Sequence, residues 1–422
     1  MLRLSLRGAL RSVPSRTSAA AARQSVRSLS NSAPTRTSTN DLQKPLAFAF
    51  DIDGVLKAGP NVLPEAKRAL QILEGHNPRN QKIPYIFITN GGGKHESARA
   101  TDLARELEVP VTPEQVIQAH TVMKSLVPLY ADKPILMVGG PETPPNAARD
   151  VMRSYGFNHV YTTLDLHAHA PAAWPFSTVH PDQLPYVRRD DFSKVQFAAI
   201  LVFHDSREWG RDTQIIIDIL RSHNGVFGTE HPPSEPLPEK QIPIYFSHGD
   251  LLWGNDHSVV RFGQGAFRLA IENVYKHTTG REMESTVFGK PYRITYDYAN
   301  ELLRQHLISM APASSATAEA AKLVGPSVWM VGDNTESDIR GAVDYGWSSA
   351  LVRTGVYKDH NGPPNYTPTI LVDNVEQAVI QAIQREWNIW RRFNSICHHQ
   401  QKRKDCGLHL SNFTKCATCE ML

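Results

Sequence analysis

The sequence predicts an α/β fold built on a parallel sheet, and three observations carry that prediction. From Leu46 onward, short apolar runs alternate with amphipathic stretches of helix length, the pattern of strands joined by crossover helices. The chain has 422 residues, 41% of them apolar and 21% charged, enough for two or three domains around a sizeable core. With 26 Gly, 4 Cys and no sustained heptads, it is not a collagen, a disulfide scaffold or a coiled coil.

The elements follow in order. LAFAFDI (46–52) reads as a buried strand. Residues 64–74 form a helix, with Pro64 in the first turn and Gly75 just beyond the end. PYIFIT (84–89) is the next strand, residues 95–107 the next helix, and ILMVGG (135–140) a further strand. Residues 141–190, rich in Pro, His and Ala, read as loop with one short helix near 147–155. VQFAAILVF (195–203), a helix over 212–221 and PIYFS (243–247) restore the alternation, around a Pro-rich loop at 222–241. Residues 264–276 and 294–306 read as helices, and 311–321 as a loop leading into a helix. SVWMVGD (327–333), a helix at 337–345, SALVRT (349–354), ILVDN (370–374) and a helix to about residue 387 complete the body.

Charge is unevenly spread. The chain carries 45 Lys+Arg against 42 Asp+Glu, but residues 1–40 hold seven Arg, no Lys and no acid. Without that segment the body has 38 basic and 42 acidic residues, so nucleic acid is not an expected partner. The leader is Arg- and Ser-rich, and Arg3, Arg7 and Arg11 share a helical face, as in a mitochondrial presequence. Arg27-Ser-Leu-Ser30 resembles a processing site. The expected location is the mitochondrion, specifically its matrix. No run reaches the roughly 18 apolar residues of a membrane span, so no integral membrane segment is expected.

Four segments carry chemistry. Asp51-Ile-Asp53-Gly54 ends a buried strand, where α/β sheets place ligands. Two carboxylates so close favour a bound cation or a shared proton; the alternative is a pair capping the next helix. Thr89-Asn90-Gly91-Gly92-Gly93 offers a hydroxyl and backbone amides to a phosphate, or is a plain glycine-rich connection. Lys290, in Gly289-Lys290-Pro291, is either a surface charge or a cation set between carboxylates and an anionic substrate. Asp333 and Asp338, in GDNTESD, fit a Mg²⁺ cage, or Asp333 or Ser337 caps the following helix.

Taken in this order, the four segments resemble the motifs of the haloacid dehalogenase superfamily of aspartate-nucleophile phosphohydrolases. The separation of 201 positions between Thr89 and Lys290 makes room for an inserted domain. That placement resembles class IIA, the group of nitrophenyl-phosphatases and NagD-like proteins. Asp250-Leu-Leu-Trp253, Arg261-Phe-Gly-Gln-Gly265 and Phe288-Gly-Lys-Pro291 resemble its mitochondrial cat-eye-syndrome critical-region branch of haloacid-dehalogenase-like hydrolase domain-containing proteins. The resemblance implies a Rossmann-like, doubly wound core over 45–133 and 251–387 with an inserted α/β cap over 134–250. The presequence (1–40) and a basic Cys/His tail (388–422) flank them.

The resemblance also implies roles. Asp51 is the nucleophile and a metal ligand. Asp53 is the general acid/base and gives Mg²⁺ its backbone carbonyl. Thr89 and Lys290 stabilise the transferring phosphoryl group. Asp333 and Asp338 complete the Mg²⁺ site, and Asn90, Gly91 and Asp250 contact substrate. Dehalogenases of the superfamily lack the acid at Asp53, so a phosphatase is expected. Two departures bear on the substrate: Asn90-Gly-Gly-Gly93 replaces an Asn-Asn-Ser-like run, and Ser247-His-Gly-Asp250 replaces Asn-x-Asp. The expected partner is a small phosphorylated metabolite, and a mitochondrial address makes a glycerophospholipid-pathway phosphate worth testing. Rivals are a catalytically weak binding protein and a phosphotransferase; oligomeric state is left open. In the tail, Cys406, His409, Cys416 and Cys419 could hold zinc, or the tail is a disordered extension. His167 and His169 are expected in solvent, and Trp253 and Phe262 in packing.

Overall fold

The computed structural model describes residues 44–387, except 145–146, 232–237, 239, 254–258, 260 and 311–324. The leader, the Ala/Ser segment and the Cys/His tail lie outside the described residues. Two parallel sheets dominate. The first uses β1 (Leu46–Phe50), all five residues buried, and after the small β2 (Lys57–Ala58) and β3 (Asn61–Val62), helix α1 (Pro64–Leu73). It continues through β4 (Tyr85–Ile88), α2 (Glu96–Leu107), β5 (Val116–Ile117) and α3 (Val127–Tyr130).

The chain then builds the second sheet. It contains β6 (Ile135–Val138), α4 (Ala148–Ser154), β7 (Val160–Thr162), α5 (Thr163–His169), β8 (Ala199–Val202), α6 (Trp209–Arg221) and β9 (Ile244–Phe246). A short antiparallel pair, β10 (Leu252–Trp253) and β11 (Arg261–Phe262), precedes α7 (Gln264–Thr279) and β12 (Thr286–Val287). Helix α8 (Arg293–Met310), β13 (Ser327–Gly332), α9 (Arg340–Tyr345), β14 (Ser348–Val352), β15 (Ile370–Val372) and α10 (Val375–Glu386) return to the first sheet.

The first sheet runs β15-β14-β13-β1-β4-β5 and the second β12-β9-β8-β6-β7, each parallel throughout. This is the Rossmann-like α/β class expected, and a parallel sheet covered on both faces explains the near-continuous apolar strands. On one side of the first sheet, Phe48, Phe50 and Val331 pack with Leu70 and Val379. On the other, Ala47, Ile86 and Met330 share a single apolar cluster with Met137, Leu201 and Phe203 of the second sheet and its flank.

Three differences from the sequence reading have local causes. The stretch 141–190 contains β7 and α5 as well as the short helix. Thr162 and Asp165 form a reciprocal cap there, the Thr162 N–H donating to Asp165 Oδ2 at 2.8 Å. His167 is consequently buried, its Nε2 3.0 Å from the Trp174 carbonyl, rather than in solvent. Finally, the second sheet outlasts residue 250, because β12 pairs with β9; the return to the first sheet follows Val287. No helix among the described residues is long and apolar enough to cross a membrane.

Candidate active site

Register brings the distant motifs together. Phe50 pairs with Val331 on one side and Phe87 on the other, so Asp51, Thr89 and Asp333 leave the same sheet edge within two residues of that row. In the second sheet Val138, Val202, Phe246 and Val287 form one row. Beyond it come Gly139, His204, His248 and Lys290. Both carboxyl edges line one cleft of about 1900 Å³, which holds Asp51, Asp53, Thr89, Lys290, Asp333 and, from the second sheet, His204 and His248.

Local chemistry fixes each group. The Asp51 N–H still donates to the Val331 carbonyl at 2.9 Å, so the strand holds this residue rigidly. The chain then turns: Leu56 and Lys57 donate to the Ile52 carbonyl at 2.9 and 3.0 Å, leaving Asp53 exposed at the cleft. Gly54 has φ +84°, and a Cβ there would lie 2.2 Å from Asp333 Oδ2, so no other residue fits the turn. Thr89 is buried, and its Oγ1 accepts the Gly91 N–H at 2.9 Å.

Lys290 is the central cation. It is 2% exposed, with Nζ 2.6 Å from Asp51 Oδ1 and 2.7 Å from Asp338 Oδ1. The other oxygen of Asp338 accepts the N–H groups of Asp333 and Asn334 at 3.1 and 3.0 Å. Asp333 Oδ2 accepts the Val356 N–H at 2.6 Å. The cap of the following turn is Asn334, whose Oδ1 accepts the Glu336 N–H at 2.9 Å; neither Asp333 nor Ser337 serves there.

Asp51, Asp333 and Asp338 place carboxylate oxygens within 4.8 Å of one another. Burial raises the Asp51 carboxyl well above its ordinary range, against the pull of Lys290. Burial, then Asp338, pushes Asp333 up to about 7. Burial alone would make Lys290 a weaker base, but Asp338 and Asp51 outweigh it and hold the ammonium charged. Three buried carboxylates against one ammonium leave excess negative charge, and hard oxygen donors in this number suit a hard divalent cation.

Asn90 and Asp250 are engaged with each other. Asn90 Nδ2 donates to both Asp250 oxygens and to the Lys290 carbonyl, each at 3.0 Å, while Oδ1 accepts the Lys290 N–H at 2.8 Å. The Asn90 amide therefore ties the first sheet to Asp250 and to the backbone of Lys290.

The sequence reading missed the histidines. His204 Nδ1 accepts the Asp205 N–H at 2.6 Å and lies 3.1 Å from Asp205 Oδ2. His248, 4% exposed, has Nε2 3.7 Å from Asp205 Oδ1 and Nδ1 3.8 Å from Asp250 Oδ2. Burial opposes a charge on His248, yet Asp205 and Asp250 prevail and raise its pKa. Burial likewise opposes the Asp205 charge, and His204 and His248 hold that carboxyl below its ordinary range. His204, Asp205 and His248 bring their ligand atoms within 4.8 Å of one another and form a second polar cluster on the wall of the cleft. The glycine run accommodates these rings: a Cβ on Gly92 would lie 2.7 Å from His120, and one on Gly93 2.8 Å from His204. The available signal was His-Asp and Ser-His-Gly-Asp at the ends of successive strands. Trp253 and Phe262 are 46% and 68% exposed rather than packed.

Two family models match the chain: haloacid dehalogenase-like hydrolase over residues 48–158 and HAD-hydrolase-like over 287–378. A mitochondrial hydrolase of Saccharomyces cerevisiae is 40% identical over 81% of this chain and 96% of its own length. A cardiolipin synthase (CMP-forming) / mitochondrial hydrolase fusion protein of Schizosaccharomyces pombe is 37% identical over 86% of this chain; the match spans 58% of that protein. Among solved structures, a p-nitrophenyl phosphatase from Archaeoglobus fulgidus superposes with a TM-score of 0.51 at 14% identity, over 80% of this chain and 99% of the other.

Proposed function

Since this chain belongs to the haloacid dehalogenase-like hydrolase family and is a hydrolase, we propose that it is a Mg²⁺-dependent phosphatase of small phosphate monoesters. The observation that carries the reading is Lys290, whose ammonium joins Asp51 and Asp338 at 2.6 and 2.7 Å beside Asp333. A nucleophilic carboxylate, a fixed cation and a carboxylate cage are what phosphoryl transfer needs, because positioning and charge stabilisation supply most of its catalysis.

In this reading an Asp51 oxygen attacks phosphorus and the bond to the leaving oxygen breaks, with Asp53 donating its proton to that oxygen. Water then attacks the phosphorus of the aspartyl-phosphate, Asp53 takes the proton, and inorganic phosphate leaves with Asp51 restored. Exposure of Asp53 to the cleft suits both transfers. Thr89 Oγ1 faces the phosphoryl group, and Lys290 offsets the charge gathered around it. Asp51, the carbonyl of Asp53 and Asp333 would hold Mg²⁺, which supplies charge neutralisation at the phosphate oxygens. Asp338 positions Lys290 and the Asp333 backbone.

The names of the two relatives support a mitochondrial location, and the acid-free leader supports import into the matrix. The fusion relative, which joins such a hydrolase to a cardiolipin synthase, brings glycerophospholipid phosphates among the candidate monoesters. The test is an assay of the full chain on p-nitrophenyl phosphate and a panel of phosphate esters, with and without Mg²⁺, beside Asp51→Asn. Mg²⁺-dependent phosphate release that vanishes in Asp51→Asn is expected. Release that persists in Asp51→Asn, or that needs no divalent cation, overturns the reading.

A further inference from the structure

We propose that His204, Asp205 and His248 form a second metal site, suited to a transition-metal dication such as Zn²⁺ and separate from the cage of Asp51, Asp333 and Asp338. The proposal does not depend on the phosphatase reading above. Strand register creates the cluster. β8 and β9 are neighbours, with Val202 paired to Phe246, and His204 and His248 each stand two residues beyond that pair. The Ser247 N–H still donates to the Val202 carbonyl at 3.0 Å, so the two strands leave the sheet side by side. The buried side chain of Gln264 then accepts the His248 N–H at 3.1 Å, which holds the second histidine in place before any ligand arrives.

The spacing is that of a ligand shell. One ligand atom from each of the three residues lies within 4.8 Å of the others. His204 Nδ1 is 3.1 Å from Asp205 Oδ2, and His248 Nε2 is 3.7 Å from Asp205 Oδ1. Donors bound at about 2.1 Å to one tetrahedral ion stand about 3.4 Å apart, between those two separations. His204 Nδ1 accepts the Asp205 N–H at 2.6 Å, and ligation exchanges this local hydrogen bond for the ion.

Unsatisfied buried atoms supply the second argument. His248 is 4% exposed, yet neither of its ring nitrogens has a hydrogen-bond partner, and neither does Asp205 Oδ1. Buried polar atoms are nearly always paired, and three left together without partners are costly. At 3.7 Å the imidazole and the carboxylate are too far apart to hydrogen-bond, whereas an ion between them satisfies both. The other nitrogen, His248 Nδ1, faces Asp250 Oδ2 at 3.8 Å, and Asn90 holds that carboxylate. A carboxylate behind a ligating histidine orients the ring and raises its basicity. Among the described residues no lysine or arginine pairs with Asp205 or Asp250. Two imidazoles and a carboxylate favour a borderline ion such as Zn²⁺, while the all-oxygen cage suits Mg²⁺. Three protein ligands leave a fourth position for water or another oxygen donor, and these three line the same cleft as Asp51 and Lys290.

The experiment uses the full chain with Mg²⁺ in excess, so that the carboxylate cage is filled, then loads Zn²⁺ or Co²⁺. The parent carries Cys406→Ser/Cys416→Ser/Cys419→Ser, which removes the candidate zinc thiolates of the tail. It should keep one equivalent of Zn²⁺ through gel filtration, and so should Asp51→Asn in that background. His248→Asn and Asp205→Asn should lose the ion, and Asp250→Asn should bind it about tenfold more weakly. Circular dichroism verifies that the variants are folded. X-ray absorption of the zinc-loaded parent, which needs none of these further substitutions, should show two imidazoles among nitrogen and oxygen donors at about 2.0–2.1 Å. Azide, a small anion that enters open positions, should alter the visible spectrum of bound Co²⁺. No Zn²⁺ retained against Mg²⁺ overturns the proposal and leaves His248 as an imidazolium ion-paired with Asp205 and Asp250. Retention in His248→Asn, loss in Asp51→Asn or fewer than two imidazoles overturns it as well, because the ion then sits elsewhere. A Co²⁺ spectrum that azide leaves unchanged overturns the open fourth position. Zn²⁺ held at this site without hydrolysis of any ester removes the phosphatase reading and leaves the site.

Discussion

Asn90 carries more of the site's geometry than its place beside Thr89 suggests. Its amide holds Asp250 and both backbone groups of Lys290, so its loss should let the ammonium drift from Asp51. We expect Asn90→Ala to lower kcat on the order of 10²-fold with little change in KM, read from steady-state kinetics; a change confined to KM would make Asn90 a substrate contact. His120 gives a prediction about pH. It is fully buried, stacked on Phe203 at 4.2 Å between centroids, with Nδ1 2.8 Å from the Tyr155 hydroxyl. Burial lowers its pKa to about 3. The unfolded chain protonates this ring from about pH 6.5 downward while the folded protein does not. Its contribution to stability is therefore complete above pH 6.5 and is lost as pH falls toward 3, about 2 kcal/mol of it by about pH 5. Chemical denaturation of His120→Gln should show a correspondingly flatter acid limb.

At the scale of elements, the loop after β4 and the strand ends of the second sheet are built for each other. Gly93 has φ +96°, and a Cβ there would meet His204. Gly93→Ala should cost about 1–3 kcal/mol, visible as a lower denaturant midpoint. A variant as stable as the wild type would show that the loop can move away from the ring. These contacts also account for the departure from the Asn-Asn-Ser-like run: a side chain at either Gly92 or Gly93 would collide with a histidine. The strands carrying Asp51, Thr89 and Asp333 were legible because each is a short apolar run ending in a polar motif. β7 and α5 were not, because a three-residue edge strand among Pro, His and Ala leaves no periodic signal. Their start is instead marked by Thr162 and Asp165, a cap that a reading for loops passes over.

At the scale of the molecule, one apolar cluster spans both sheets, with Ile86 and Met330 of the first beside Met137 and Leu201 of the second. The two sheets should therefore unfold together, as a single calorimetric transition; two resolved transitions would show that the second sheet folds alone. The charge balance of the site gives a companion expectation. Mg²⁺ at about 100 times its Kd should stabilise the wild type by about 2.7 kcal/mol. Asp333→Asn should lose that response while gaining about 1 kcal/mol without metal, since it relieves the repulsion among Asp51, Asp333 and Asp338. Thermal melts with and without Mg²⁺ read both, and a response retained in Asp333→Asn would place the cation elsewhere.

By itself the sequence determined the α/β class and the strand ends that bear Asp51, Asp53, Thr89, Asp333 and Asp338, and it singled out Lys290 as a candidate. These are local facts, written in apolar runs and in the residues that end them. Tertiary structure alone decided that Lys290 joins Asp51 from 239 positions away, that Asn90 holds Asp250, and that His204 and His248 form the opposite wall. It also decided that Trp253 and Phe262 face outward. Such pairings depend on strand register and on how two sheets abut across a shared core, and neither is encoded in any one segment. Periodicity says which face of an element is buried; only packing says what that face, or the edge beside it, meets.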